Sequence, residues 1–208
     1  GNKTLIEHAV SPALESNVFD YVVGSTEDAE MVEEFERLRC RTIIRPMELA
    51  QDTTPTIPVM QHVLRELEKE GKVFDWVMLL RTTCPLRNAE DIRNAVDIIK
   101  NSTCKSIVSV YQVEHSHPAR MYRIENGILI PIYNEPVSRG RQELEPIFHR
   151  NGAVYACTTE LLLQNNELIS DDVKPFIMPR ERSFNIDDEL DLFLADQMYE
   201  YMNRQIKQ

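Results

Sequence analysis

Apolar residues recur at two different spacings along the chain, and the two spacings alternate. Steps of three and four residues mark amphipathic helices, one of which carries Ile57, Met60, Val63, Leu64 and Leu67. Short continuous apolar runs lie between the helices, and the run at 76–80 is typical of a strand covered by helices on both faces. This alternation predicts an α/β protein with a doubly wound, mostly parallel sheet, in which residues 76–80 form a middle strand.

Capping residues and prolines predict where several helices begin or break. Asn88 precedes an apolar-periodic segment and is expected to cap a helix, while Thr54 and Pro55 are expected to be the cap and first residue of another. The first helix begins near Leu5 and contains Pro12, which lacks a backbone N–H. We therefore expect this first helix to bend or break at the proline.

Beyond residue 106 the pattern changes from alternating units to strands. Asn126-Gly127 separates two apolar segments, and this dipeptide favours a two-residue hairpin turn. A polar loop is expected at 134–145, followed by a return to strand at 148–157. The hairpin carries four apolar residues away from the main sheet: Ile128, Leu129, Ile130 and Ile132. Such residues need a cover, so we predict one domain over 1–208 with an excursion at about 117–147 that forms a homodimer.

Composition and charge exclude several classes of function. Among the 208 residues, 23 Lys and Arg stand against 34 Asp and Glu, for a net charge of −11. An acidic chain is a poor binder of nucleic acid or anionic lipid, and no apolar run reaches the ~18 residues of a membrane helix. The four cysteines are far apart without a C-x-x-C pair, which argues against a zinc knuckle and favours reduced thiols in the cytoplasm.

The segments that follow the strands carry candidate binding residues. In an open α/β sheet, ligands bind beyond the carboxyl ends of the strands. Arg45 ends one strand, and Thr54 and Thr56 stand at the next helix start, where free N–H groups and hydroxyls suit an anion or a polar ring. Simple capping by the threonines is the alternative interpretation. Arg81 and Arg87 share one strand-end loop, and this favours a carboxylate or phosphate ligand, which arginine binds bidentately.

Acidic and amide residues crowd the entry to the last helix. Acids in a first turn favour the helix dipole, so a purely structural role is one interpretation. The other is a Mg²⁺ site, because Asn185 and Asp187 are two residues apart on an extended segment and would face the same way. The sequence leaves both interpretations open at this point.

Five segments of the chain, taken together, are similar to the motifs of one known family. The first two are R-P-M-E-L-A-Q-D-T-T-P-T at 45–56 and L-L-R-T-T-C-P-L-R at 79–87. The others are S-I-V-S-V from 106, R-N-G-A-V-Y from 150 and M-P-R-E-R-S-F-N-I-D-D-E-L-D-L from 178. In order and spacing the set resembles the acylneuraminate cytidylyltransferases, or CMP-N-acetylneuraminate synthetases, over essentially the whole chain.

This resemblance implies a Rossmann-like fold of the nucleotide-diphospho-sugar transferase type and a reaction of CTP with a nine-carbon 2-keto-3-deoxy sugar acid. The products are the CMP-sugar and pyrophosphate, and the cofactor is Mg²⁺. The resemblance assigns Arg45 and Thr56 to the nucleotide, and Asn185 and Asp187 to the metal. It assigns the sugar acid to four residues: Arg81, Arg141, Gln142 and Tyr155. Asp187 and Arg81 are the implied catalytic residues, and the partner subunit reaches toward the sugar site.

The chain also departs from the family pattern. The family begins with a strand and a triphosphate-binding loop, R-x-x-S-K-x-x-x-K-N, and we expect both to be missing from these residues, which begin at the segment matching its downstream side. Arg81 replaces a family glutamine, and Asn185 replaces the first acid of the metal pair. The alternatives are therefore a non-catalytic or truncated cytidylyltransferase-like dimer that binds sugar or a partner, and an enzyme for 3-deoxy-manno-octulosonate. The resemblance leaves open which nine-carbon acid is used and whether these residues turn over alone.

Overall fold

A computed structural model describes residues 2–133 and 140–206, with no description of the side chains of Arg141 and Ile206. The helices in this part of the chain are α1 (Leu5–Ser16), α2 (Ala29–Arg37), α3 (Thr56–Lys69), α4 (Ala89–Lys100) and α5 (Glu189–Ile206). The strands are β1 (Val23–Thr26), β2 (Arg41–Ile44), β3 (Trp76–Leu79), β4 (Ser106–Gln112), β5 (Tyr122–Glu125), β6 (Ile128–Pro131), β7 (Phe148–Thr158) and β8 (Lys174–Ile177). Single turns of other helix types, including a π-helical turn at Leu161–Asn165, connect some of them.

In the part of the chain that the structure describes, the main sheet has four strands in the order β3-β7-β4-β8. Strands β3, β4 and β8 run in one direction and β7 runs in the other, because β7 is antiparallel to both of its neighbours while β4 and β8 are parallel. Strands β1 and β2 form a separate parallel pair. The predicted α/β class with a mostly parallel sheet is therefore confirmed.

The position predicted for residues 76–80 within the sheet is wrong. Among the described residues, strand β3 pairs with β7 alone and lies at the edge of the four-stranded sheet, not in its middle. Its free edge lies on a cleft that β1 also lines. An apolar run reports that a strand is covered on both faces, but it says nothing about how many strands pair with its edges.

The structure confirms some of the predicted helix boundaries and contradicts others. Asn88 caps α4 as predicted, with a reciprocal capping box to Asp91. Pro12 does not break α1, which continues to Ser16 and is capped by Thr4 at its start. A proline removes one backbone hydrogen bond, and here the packing of α1 against α4 and α2 compensates for that loss. Helix α3 begins at Thr56 after Pro55, so Thr54 is not its cap.

The core lies on the two faces of the main sheet. On one face Trp76, Met78 and Leu80 pack against a buried cluster that includes Ile107 and Val154. On the other face Val77 and Leu79 pack against Met60 and Leu64 of α3. Alternate residues of β3 therefore face opposite layers, as the two-residue period of a strand requires.

The hairpin forms at the predicted place. Strands β5 and β6 pair through Glu125 and Ile128, and the turn residues Asn126 and Gly127 have φ angles of 51° and 78°. Both angles are positive, as a type I′ turn requires. Ile124 and Ile128 are 74% and 62% exposed. Dimerisation through this surface stays a prediction, and residues 134–139 of the polar loop lie outside the described residues.

Two further expectations concern the membrane and the thiols. No described helix has the length and apolar character that crossing a membrane requires. Cys40, Cys84, Cys104 and Cys157 are all free and buried. Burial raises the pKa of the Cys157 thiol to about 11, so this side chain is a poor nucleophile at neutral pH.

An acid-sensitive ion pair within α2 is linked to α1 through Thr4, the residue that caps α1. Arg37 contacts Glu34 at 2.7 Å and, together with Thr4, lowers the pKa of Glu34 from 4.5 to about 2. A lowered carboxyl pKa stabilises the folded state above pH 4.5, and this contribution is lost as the pH falls toward 2. We expect the unfolding free energy of the wild type to fall more steeply than that of Glu34→Gln across this range. Urea denaturation at a series of pH values measures both, and equal slopes below pH 4.5 would contradict the assignment.

Candidate active site

One cleft of about 690 Å³ lies between β1 and β3. Its middle is apolar, and its polar end collects residues that follow three different strands. These residues are Arg45, Thr54, Thr56, Arg81, Thr82, Thr83 and Asp187, and Ser25 of β1 also lines the cleft. The structure therefore brings together four of the residues singled out from the sequence, namely Arg45, Thr56, Arg81 and Asp187.

Arg45 is held at the cleft by the segment that follows β1. Its backbone N–H donates to the Thr26 carbonyl at 3.1 Å, and its Nε donates to the Glu27 carboxylate at 2.5 Å. The arginine lowers the pKa of Glu27, so the carboxylate stays ionised and fixes the guanidinium. Thr56 lines the same cleft as the first residue of α3, where backbone N–H groups at the helix start are free to bind a ligand.

Arg81 is exposed at the end of β3 and rests on an aromatic ring. Its guanidinium lies 5.6 Å from the ring centroid of Tyr155, a buried residue of β7. Tyr155 does not line the cleft itself, so its contact with the site is through Arg81. Gly152 leaves room beside this arginine, because a Cβ there would lie 3.3 Å from Cys84 Sγ and 3.9 Å from Arg81 Cδ, on a backbone with φ of 78°.

Asn185 and Asp187 form a hydrogen-bonded pair at the cleft mouth. Asn185 accepts from Thr83 Oγ1 at 2.8 Å and donates through Nδ2 to Asp187 Oδ2 at 2.6 Å. The backbone N–H of Ile186 donates to the Thr83 carbonyl at 2.9 Å, which fixes this segment to the loop after β3. Asn185 therefore orients the exposed carboxylate of Asp187.

The oxygen atoms of Asn185 and Asp187 fit a Mg²⁺ ion that takes its other ligands from phosphate and water. Within the described ranges there is no cluster of three or more His, Cys, Asp and Glu side chains that could hold a metal. One carboxylate with an amide oxygen nearby is instead a hard, sparse donor set, suited to a cation that is held mainly by phosphate oxygens and water. The acids of the following turn stabilise the start of α5, since Asp188 accepts a hydrogen bond from the Asp191 backbone N–H at 2.9 Å.

Two other candidates lie apart from the cleft. Gln142 is exposed in a single helical turn and does not line the cleft, and the side chain of its neighbour Arg141 is not described. Arg87, expected to face a carboxylate or phosphate, is 2% exposed and donates to the Ala153 carbonyl at 2.7 Å. That expectation is wrong, because this side chain turns inward and ties its loop to β7. Burial lowers the pKa of Arg87 to about 10.

Sequence reasoning missed three residues that support the site. Glu27 is the first of them, and its carboxylate binds Arg45. Asp91 and Arg182 form a bidentate pair with distances of 2.9 and 2.7 Å that joins α4 to the segment before α5. Nothing in the local sequence pairs two residues so far apart, although a nearly fully buried acid requires a partner of this kind.

The fold is the Rossmann-like α/β fold of nucleotidyltransferases. It matches a CMP:2-keto-3-deoxy-manno-octonic acid synthetase complexed with CTP with a TM-score of 0.66 and 13% identity, over 94% of this chain and 88% of that one. It also matches a 4-diphosphocytidyl-2C-methyl-D-erythritol synthase from Anaerococcus prevotii with a TM-score of 0.65 and 11% identity, over 96% and 90% of the two chains. At these identities the likeness concerns the fold.

Sequence relatives place the chain within this fold class. Residues 1–133, more than half of the chain, match the family described as Cytidylyltransferase. The chain belongs to the cytidylyltransferase family. It is 25% identical to the pseudaminic acid cytidylyltransferase of Campylobacter jejuni, over 95% of this chain and 85% of the relative. It is 28% identical to the CMP-N,N'-diacetyllegionaminic acid synthase of Legionella pneumophila, over 95% and 86%. The N-acylneuraminate cytidylyltransferase of Streptococcus agalactiae is 26% identical, over 89% of this chain and 44% of the relative. These relatives confirm the resemblance stated from the sequence.

Proposed function

We propose that this cytidylyltransferase joins CMP from CTP to a nonulosonic acid, a nine-carbon 2-keto-3-deoxy sugar acid, and releases pyrophosphate. The observation that carries the proposal is the polar end of one cleft, where Arg45, Thr56, Arg81 and Asp187 meet. The names of the relatives support it, because pseudaminic, legionaminic and N-acylneuraminic acids are the sugar acids in those names.

The proposed reaction is an in-line displacement at the α-phosphorus of CTP. The anomeric hydroxyl oxygen of the sugar acid forms a bond to phosphorus and loses its proton, while the bond to the pyrophosphate oxygen breaks. The protein needs no covalent intermediate for this chemistry. Its task is to hold two anions in line and to offset charge that develops on the phosphates.

The geometry suggests how the residues divide this task. Arg45, fixed by Glu27, and Thr56 at the start of α3 would hold the nucleotide. Arg81 would hold the sugar carboxylate through its planar fork, with Tyr155 stacked behind it. Glu27 and Tyr155 act through the two arginines, so we propose that they position those side chains without touching substrate.

We propose Asp187 and Asn185 as the protein ligands for Mg²⁺. Bound there with the triphosphate, the cation would neutralise phosphate charge. The amide oxygen of Asn185 accepts a hydrogen bond from Thr83, and its amide nitrogen donates to Asp187. Asn185 would therefore add an oxygen ligand for the metal and also set the direction of the Asp187 carboxylate.

The homodimer and the location in the cell are also proposed. Gln142 lies away from its own cleft, and this supports a role for Arg141 and Gln142 in the site of a second subunit. The exposed hairpin apolar residues support the dimer contact itself. Four buried free thiols support a reducing compartment such as the cytoplasm.

Equilibrium binding of CTP and release of pyrophosphate test the proposed function. The assay contains Mg²⁺, CTP and one acid at a time: N-acetylneuraminate, a legionaminic acid, a pseudaminic acid or 3-deoxy-manno-octulosonate. Product with a nine-carbon acid supports the proposal. Absence of CTP binding, or product with the eight-carbon acid alone, overturns it. Binding of CTP and acid without product from any acid favours the non-catalytic interpretation.

Asn185→Asp tests the proposed metal ligands Asn185 and Asp187 through an expected gain in affinity for Mg²⁺. A second carboxylate adds a charged ligand for Mg²⁺, so we expect the apparent affinity for Mg²⁺ in the presence of CTP to rise. Without metal, two adjacent carboxylates repel, so the variant should become less stable than the wild type in EDTA. Titration of Mg²⁺ followed by CTP binding measures the first effect and thermal denaturation the second. A weaker metal affinity would contradict the assignment.

A further inference from the structure

Strand β7 departs from regular pairing where it passes the candidate active site. The ladder between β4 and β7 is regular up to the pair Val108 and Tyr155, and it resumes at the pair Val110 and Arg150. Between these two pairs β4 has a single residue, whereas β7 has the four residues 151–154. This is a large β-bulge, a feature that is common next to active sites because it redirects side chains.

The single β4 residue opposite the bulge is Ser109, and its side chain holds the bulge from inside. Ser109 is 0% exposed, and its hydroxyl oxygen accepts from the Val154 backbone N–H at 2.7 Å. The same hydroxyl donates to Asn151 Oδ1, which also accepts from the Ala153 backbone N–H at 3.1 Å. One hydroxyl therefore links the first and last residues of the bulge, with one hydrogen bond donated and one accepted.

The bulge contacts the loop at 81–87 that follows β3. The Asn151 carbonyl accepts from Cys84 Sγ at 3.3 Å, and the Ala153 carbonyl accepts from Arg87 Nη1 at 2.7 Å. The first residue of this loop is the arginine that is proposed to hold the sugar carboxylate. A shift of the bulge would therefore move the support of that arginine.

The bulge also contacts the segment at 183–187. Asn151 Nδ2 donates to Ser183 Oγ at 2.9 Å. A Cβ at Gly152 would lie 3.7 Å from Asn185 Oδ1, so the bulge backbone passes beside the amide that orients the proposed metal ligand. The bulge is thus the common support of the two segments that supply the acid side and the metal side of the site.

We propose that Ser109 is a positioning residue: it fixes the bulge, and the bulge fixes the separation of Arg81 and Asp187. This inference rests on the proposed function, which assigns those two side chains to the sugar acid and the metal. Arg45 follows β2 and Thr56 begins α3, so the nucleotide is held by a part of the site built on other elements. Ser109 should therefore affect the acid and the metal without affecting the nucleotide.

Ser106→Ala is the matched control for Ser109→Ala. Both serines belong to β4 and are 0% exposed, and Ser106 Oγ accepts from the Ser170 backbone N–H at 2.9 Å. Ser106 is the first residue of β4, whereas the active-site residues follow the carboxyl ends of the strands. Each variant leaves one buried N–H without its partner, so we expect similar losses of unfolding free energy in urea. A purely structural role would affect the two variants alike.

Three binding and rate measurements separate positioning from stability. We expect Ser109→Ala to weaken Mn²⁺ binding in the presence of CTP by about tenfold, as loss of an outer support of a metal ligand does. We also expect a higher KM for the nine-carbon acid that gives product, while CTP binding in EDTA stays as in the wild type. Ser106→Ala should change none of the three. Ser109→Cys keeps a weak donor and acceptor, so its Mn²⁺ affinity should lie between those of the wild type and Ser109→Ala.

Amide exchange tests the same link without any substrate. The Ile186 backbone N–H donates to the Thr83 carbonyl at 2.9 Å and joins the segment at 183–187 to the loop after β3. We expect this amide to exchange about tenfold faster in Ser109→Ala than in Ser106→Ala, because local opening follows the loss of a local support.

Equal effects of Ser109→Ala and Ser106→Ala on Mn²⁺ affinity and on Ile186 exchange would overturn the positioning role. If Ser109→Ala does not fold, Ser183→Ala tests the link from its other end, because it removes the partner of Asn151 Nδ2. This variant should also weaken Mn²⁺ binding, and unchanged binding would overturn the proposal. Absence of CTP and Mn²⁺ binding by the wild type would instead count against the proposed function, and Ile186 exchange would still decide whether Ser109 fixes the segment.

Discussion

Replacement of Asp187 by alanine is expected to weaken metal binding in the presence of CTP by about 10²-fold and to lower CMP-sugar formation by about 10²–10³. Asp187 is the single carboxylate of the proposed metal pair, and Asn185 alone retains a neutral oxygen. Electron paramagnetic resonance of Mn²⁺, used in place of Mg²⁺, measures the binding without turnover.

Glu189→Ala is the matched control for Asp187→Ala. Glu189 is exposed in the first turn of α5 and carries the same charge, two residues further along the chain. We expect this variant to bind Mn²⁺ as the wild type does. Equal losses in the two variants would show a general electrostatic effect, and unchanged binding in Asp187→Ala would remove Asp187 from the metal site.

Loss of Asp91 is expected to lower the free energy of unfolding by about 3–5 kcal/mol. Asp91 is 1% exposed, receives two hydrogen bonds from Arg182 and completes the cap of α4 with Asn88. Alanine at this position leaves the arginine without its bidentate partner and also removes the cap. The segment before α5, which carries Asn185 and Asp187, would lose its connection to α4.

Urea denaturation of Asp91→Ala and Asp97→Ala measures this effect. Asp97 lies on the same helix and is exposed, so its removal should change the unfolding free energy by less than about 0.5 kcal/mol. A small loss in Asp91→Ala would mean that the pair with Arg182 contributes little to the free energy of unfolding.

The order of helices and strands follows from the sequence because each element carries its own period and boundary residues. The predictions of a helix cap at Asn88 and of a hairpin turn at Asn126-Gly127 are correct for this reason, because capping and turn geometry depend on a few adjacent residues. Pairing between strands depends on residues far apart in the chain. The apolar run of β3 therefore predicts a covered strand without revealing its open edge.

The residues of the candidate site also divide into those that the local sequence predicts and those that depend on distant parts of the chain. Arg45, Thr56, Arg81 and Asp187 each follow a strand or begin a helix, so the sheet topology alone gathers them at one end of the cleft. Arg87 has the same sequence context as Arg81, yet it turns inward to the Ala153 carbonyl. The choice between these two arginines depends on the space beside β7, which no local pattern describes.

The position of β7 between β3 and β4 has a consequence for synthesis on the ribosome. Strands β3 and β4 both pair with β7, which is translated after them. At about 5–20 residues per second, β3 waits on the order of ten seconds for its partner. During that interval its apolar residues are available to chaperones or to neighbouring nascent chains. A translational pause between Gln112 and Phe148 would lengthen this exposure, so codon usage in that interval should influence the yield of folded protein.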